Sequence, residues 1–193
     1  INFIDNHDVP RFLFTGSREG LHNALTFVFT VQGVPCIYYG TEQGFAGGND
    51  PANREDLWWS GYDQASPDYQ WVRRLARIRR SYKALTHGDL KVTWASDRTG
   101  NESDAGIFAY ERAGGDAGDA YALMVFNTNS AQESATQFGG AGMAVGTPGG
   151  TSLVNVLDPN ESVSVAGDGT LIVNVPATSG KLFVRAGDLI SGL

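Results

Sequence analysis

Phe3-Ile4-Asp5-Asn6-His7-Asp8 is the stretch on which the reading of this chain turns. Residues 2–5 read as a short apolar strand, and Asn6-His7-Asp8 as the polar turn that ends it, because Asn and Asp bond to nearby backbone and favour turns. A chain already in a strand at its first residues is expected to be a fragment of a longer one. On residue type alone, Asn6, His7 and Asp8 serve equally well as a ligand-binding turn or as a simple change of direction ahead of Pro10.

Working outward, Leu21, Ala24, Leu25, Val28 and Phe29 recur at helical spacing, which predicts a helix over about 17–32. Ser17 is its N-cap and Gly33 its stop. Val34–Tyr39 follows as a continuous apolar run, the pattern of a parallel strand covered on both faces. Ser66-Pro67 then opens a second helix, with Val72, Leu75, Ala76, Ile78, Tyr82 and Leu85 on its apolar face and an end near Thr86. Residues 1–86 thus form two strand-helix pairs of α/β type. Beyond His87-Gly88 the period shortens to two. Runs at 90–94, 106–110, 121–126, 152–157, 162–165, 170–175 and 181–184 read as strands of an antiparallel sandwich. Gly167-Asp168-Gly169 reads as a hairpin turn, and Gly139–Gly150 as a flexible loop.

The net charge of −7 over 193 residues disfavours nucleic acid and anionic lipid surfaces as partners, but not a neutral polymer. A single cysteine, Cys36, excludes an intramolecular disulfide framework and a multi-cysteine metal site; within its apolar run it reads as a small buried hydrophobe. No run approaches the roughly 20 apolar residues that cross a bilayer, and the first residues lack the sections of a signal peptide.

Three elements in order carry a family resemblance: Phe3–Asp8, Gly33-Val34-Pro35-Cys36-Ile37-Tyr38-Tyr39-Gly40-Thr41-Glu42, and Gly47-Gly48-Asn49-Asp50-Pro51-Ala52-Asn53-Arg54. They resemble, respectively, the strand-seven end, the eighth strand with its turn, and the glucan-contacting loop of the α-amylase family, glycoside hydrolase family 13. The resemblance implies the C-terminal portion of such an enzyme. Residues 1–86 would be the last two strand-helix units of a TIM (β/α)8 barrel, and 87–193 an antiparallel Greek-key β-sandwich. A whole barrel takes roughly 250 residues, so this chain cannot hold one together with a sandwich.

The same resemblance implies that Asp8 is the family's third carboxylate and His7 its neighbouring histidine, both binding sugar hydroxyls beside the cleaved bond. Asp50 and Arg54 would hold a glucose unit further away. Retaining glycosidases need a nucleophile and an acid about 5 Å apart; in the family these lie on strands four and five, upstream of Ile1, so the 193-residue chain is expected to be inactive alone. The implied substrate is an α-1,4-glucan such as starch or a maltooligosaccharide. The parent would be secreted or periplasmic, with a companion N-terminal polypeptide or self-association completing the barrel, and with calcium, if any, in upstream segments. Two alternatives stand beside hydrolysis: a transglycosylase of the cyclodextrin glucanotransferase kind, and a non-catalytic carbohydrate-binding or structural module.

Each further candidate has a plainer reading. Asp50 and Arg54 also fit a loop salt bridge at four-residue spacing. Asn49, Asp50, Asn53 and Asp56 fail the spacing of a helix-loop-helix calcium site, so no metal is assigned to them. Trp58, Trp59 and Tyr62 read as sugar-stacking rings or, given their apolar area, as packing between the two domains. Arg73, Arg74, Arg77, Arg79, Arg80 and Lys83 read as a solvated basic helix face. His22 and His87 have no evident partners in the sequence and read as surface or cap residues.

Overall fold

The computed structural model describes residues 1–193. They divide into two compact units, Ile1–Arg80 and Ser81–Leu193.

In the first unit, helix α1 spans Arg18–Thr30 and is capped at Ser17, whose hydroxyl accepts the Gly20 N–H at 3.0 Å. Leu21, Leu25, Val28 and Phe29 are buried, as their spacing predicts. Helix α2, Pro67–Ser81, buries Leu75 and Ile78. It does not run to Thr86. Tyr82 takes an extended conformation, and a separate helix α3 follows at Lys83–His87, so the predicted second helix is two. The break at Tyr82 is held within the second unit, where the phenol oxygen accepts the Ile190 N–H at 3.0 Å.

The two strands expected at 2–5 and 34–39 are reduced to one parallel bridge between Asn2 and Pro35. Asn2 N–H donates to Val34 O and Cys36 N–H to Asn2 O, both at 2.8 Å, so the right-order strand-helix-strand connection is present in minimal form. The expected burial on both faces is not. Ile1, Phe3, Val34 and Cys36 are exposed, because the two segments pair only with each other and no sheet layer covers them.

The second unit is antiparallel. Its main sheet orders β1 (Asp89–Ala95), β2 (Ile107–Ala113), β3 (Tyr121–Asn127), β11 (Ser179–Arg185), β7 (Ser152–Asn155) and β8 (Ser162–Ser164) side by side. Two small sheets pair β4 (Ser134–Ala135) with β10 (Asn174–Val175), and β5 (Gln137–Phe138) with β6 (Ala141–Ala144) and β9 (Thr170–Leu171). Alternate residues of the large sheet, among them Ile107, Leu123, Val125, Leu153 and Phe183, meet Met143, Leu171, Val173 and Val175 in one core. β3 is buried along its whole length, because α3 packs Ala84 and Leu85 toward its other face.

The loop expected over Gly139–Gly150 contains β6. Gly139 and Gly140, both at positive φ, make a two-residue hairpin that sets Phe138 opposite Ala141 and turns Met143 fully inward. The single strand expected over 170–175 is split into β9 and β10, each joining a different small sheet. Between them the Val173 N–H donates to the Thr136 hydroxyl at 2.9 Å. The turn at 167–169 is present: Ala166 N–H donates to Thr170 O, and the Asp168 carboxylate accepts the Thr170 N–H.

Candidate functional site

Asp5 anchors the polar turn. It is buried, and its two oxygens accept the Phe12 N–H at 3.1 Å and the Thr41 hydroxyl at 3.0 Å, tying the turn to the segment after Gly40. Asn6 then folds the chain back on itself, its Oδ1 accepting the Asp8 N–H at 2.8 Å. The His7 and Asp8 side chains that emerge are 57% and 69% exposed, with His7 Nε2 3.3 Å from Asp8 Oδ1.

The loop at 49–54 is held against this turn by a residue to which the sequence reading assigns no role. Asn53 is fully buried, and its Nδ2 donates to His7 O at 3.0 Å and Val9 O at 2.8 Å, straddling Asp8. Arg54 Nη2 also reaches His7 O, at 3.4 Å. All four predicted site residues therefore sit on two segments bonded to each other. Within the loop, Arg54 Nε and Asp50 Oδ1 are 2.6 Å apart, so the ion pair of the plainer reading exists, half in solvent.

Behind the loop, Arg11 is buried and donates from Nε to Glu55 Oε2 at 2.8 Å and from Nη1 to Tyr39 O at 2.6 Å. Its guanidinium lies 4.3 Å and 5.0 Å from the Tyr38 and Tyr39 ring centres, a cation–π arrangement. Burial pushes the Tyr38 phenol above its ordinary range. Glu55 Oε1 accepts the Gly47 N–H at 2.6 Å, which closes the loop at its start. An arginine three residues past the first motif and a glutamate one residue past the third are difficult to single out from sequence. Their signal was only that Arg11 follows Pro10 and Glu55 follows Arg54.

Other expectations change. Trp58, Trp59 and Tyr62 are 63%, 71% and 60% exposed. His22 is partnered: its Nε2 lies 2.8 Å from Asp68 Oδ1 and its ring stacks on Trp71 at 5.0 Å, joining α1 to α2. His87 Nδ1 meets the Thr86 hydroxyl at 2.7 Å. Arg79 leaves the basic face to donate to Phe29 O at 2.7 Å and Gly33 O at 2.5 Å, satisfying carbonyls at the end of α1.

Chemically, the two segments present exposed acceptors on Asp8 and Asp50 and donors on His7 and Arg54, a set suited to hydroxyl groups. Comparison with known proteins bears on the family of the chain. A family model described as alpha amylase, catalytic domain, matches residues 1–74. A cyclomaltodextrin glucanotransferase of Thermoanaerobacterium thermosulfurigenes is 33% identical over 173 residues, which cover 89% of this chain and 22% of that protein. Alpha-amylase 2 of Schwanniomyces occidentalis is 32% identical over 186 residues, 96% of this chain and 34% of the relative. Among solved structures, the gamma-CGTase from alkalophilic Bacillus clarkii superposes with a TM-score of 0.74 at 30% identity, over 94% of this chain and 25% of that one. The chain thus spans between a fifth and about a third of the length of these relatives. Through these matches the chain is a member of the alpha-amylase family, glycoside hydrolase family 13.

Proposed function

We propose that residues 1–80 form part of the substrate cleft of a retaining enzyme acting on α-1,4-glucans, as the last two strand-helix units of its (β/α)8 barrel. In this reading the second unit is the Greek-key sandwich that follows. The observation that carries it is Asn53, whose amide bonds to the carbonyls on either side of Asp8 and so fixes the Asp50–Arg54 loop beside the His7–Asp8 turn. Asp8 accepts hydrogen bonds from the hydroxyls of the sugar next to the cleaved bond, and those bonds tighten as the ring flattens toward an oxocarbenium ion. His7 donates to the same ring. Asp50 and Arg54 hold a neighbouring glucose through acceptor and donors, the ion pair opening to admit it.

The nucleophile and the acid have no place in this reading among residues 1–193, so the chain is expected to turn over no starch by itself. The apolar side chains of Ile1, Phe3 and Val34 are expected to be covered by a companion polypeptide or a second copy. Calorimetric titration with maltotriose tests the site: Asp8→Asn and Arg54→Ala should each weaken binding at least about fivefold. Equal affinity in all three proteins would refute it.

Transglycosylation is a second reading, favoured by the match to a cyclomaltodextrin glucanotransferase along 89% of the chain. Analysis of products from the complete enzyme separates the two, since transfer yields cyclic or lengthened glucans and hydrolysis yields short reducing ones.

A further inference from the structure

Three residues beyond Arg54, the turn Leu57–Ser60 begins, carrying two adjacent tryptophans that the proposed cleft does not use. Trp58 and Trp59 stand edge to face, ring centres 5.5 Å apart and planes at 87°, with both indoles largely in solvent. Tyr62 joins them, exposed and at φ 54°, a backbone region that is an outlier for a bulky residue. The turn is locked from within. The Ser60 hydroxyl donates to Leu57 O at 2.7 Å and accepts the Tyr62 N–H at 3.0 Å, and Gln43 Nε2 donates to Asp63 O at 3.3 Å. Large apolar rings held rigidly outward are a binding device, since single exposed hydrophobes need no explanation but a fixed aromatic cluster does.

Local charge and ring geometry narrow the occupant. No lysine or arginine occurs between Arg54 and Arg73, whereas Asp56 and Asp63 are acidic and exposed, so a nucleic acid or anionic lipid surface is disfavoured. A neutral polyhydroxylated chain is not. Two indoles at right angles cannot both lie flat on a straight ribbon of sugars such as a β-1,4-glucan, but they fit a chain whose ring planes turn along a coil, as those of an α-1,4-glucan do. The platform is also continuous with the hydroxyl-binding loop. Four residues of backbone reach at most about 14 Å, a span that a short oligosaccharide bridges.

We infer that Trp58, Trp59 and Tyr62 form a stacking platform for an α-linked glucan chain, an additional binding site beside the Asp50–Arg54 pair. The inference rests on the glucan-cleft reading for its ligand class. By holding the polymer a few sugars away from Asp8, the platform raises the residence of long chains and contributes little to short ones.

The test is depletion of the 193-residue protein from solution by starch granules and by cellulose, with wild type, the W58A/W59A double variant and the conservative W58F/W59F variant. Circular dichroism confirms that each is folded. Wild type should be retained on starch and not on cellulose, W58A/W59A should bind starch about tenfold more weakly, and W58F/W59F should keep most of the affinity. Equal retention of W58A/W59A and wild type, retention on cellulose equal to starch, or no retention of wild type would each overturn the platform. So would a mass above 20.6 kDa that drops in W58A/W59A while starch retention holds, because the rings would then join copies of the chain. In parallel, the His7 imidazole resonances are followed with maltotriose. A shift there without granule retention leaves the cleft standing and the platform refuted, and granule retention without a His7 shift does the reverse.

Discussion

Asn53 joins the two segments of the proposed sugar site through one side-chain amide. Its amide bonds to two carbonyls beside Asp8, so Asn53→Ala removes both bonds and is expected to destabilise the first unit by about 2 kcal/mol, measured by urea unfolding. A loss below about 0.5 kcal/mol would mean the two segments hold together without it. Asp104, in the second unit, gives a pH signature. The Arg98 guanidinium donates to both of its oxygens and Trp94 Nε1 adds a third bond at 2.9 Å, and together they lower the Asp104 carboxyl to about 2 from 3.8. A depressed folded value means that this stabilisation, about 2 kcal/mol, is complete above pH 4 and disappears as pH falls from 4 toward 2. Asp104→Asn should flatten that part of the stability curve; an unaltered acid limb would contradict the assignment. At this scale the motif residues were legible, because Asn6, His7, Asp8, Asp50 and Arg54 lie in short contiguous stretches. Asn53, Arg11, Glu55 and Asp104 were not, because what they do depends on carbonyls and partners brought near only by folding.

The elements were legible where one period ran long enough. α1 appears almost residue for residue, since its apolar spacing, Ser17 and Gly33 all point the same way. The break at Tyr82 was hidden because Tyr82 and Leu85 continue the helical period, and a contact of the Tyr82 phenol with the Ile190 backbone lies far along the chain. β6 was hidden by glycine: Gly139-Gly140 is a hairpin signal, but the glycines and proline around it made the segment resemble a loop. Met143→Ala is expected to cost the second unit about 3 kcal/mol, because the side chain is fully enclosed. A change under 1 kcal/mol in thermal or urea unfolding would show that β6 is not part of the core. Arg79, read from sequence as solvated, ties α2 to the end of α1. Arg79→Ala should lower the stability of the first unit by about 2 kcal/mol, whereas Arg73→Ala on the exposed face should be near neutral. Equal effects of the two substitutions would contradict this division of the basic residues.

Across the whole molecule, the sequence distinguishes an α/β part from an all-β part because its hydrophobic period changes once, near Gly88. The boundary between compact units falls slightly earlier, at Arg80–Ser81, because α3 packs with the strands that follow it. The strand burial expected for 2–5 and 34–39 did not appear, since two segments joined by one bridge have no layers on either side of them. With Ile1, Phe3, Val34 and Cys36 open to solvent, light scattering of the purified chain should report association above 20.6 kDa, and a single species at that mass at all concentrations would contradict the proposed covering. In the proposed function the His7–Asp8 turn and the Asp50–Arg54 loop make one sugar-binding surface. Its most direct test is a nuclear magnetic resonance titration of the 193-residue chain with maltotriose, following the His7 imidazole and the Arg54 Nε–H together. Both should shift along one saturation curve at millimolar sugar and respond far less in Asp8→Asn; resonances that stay in place at saturating sugar, or that move along different curves, would contradict it.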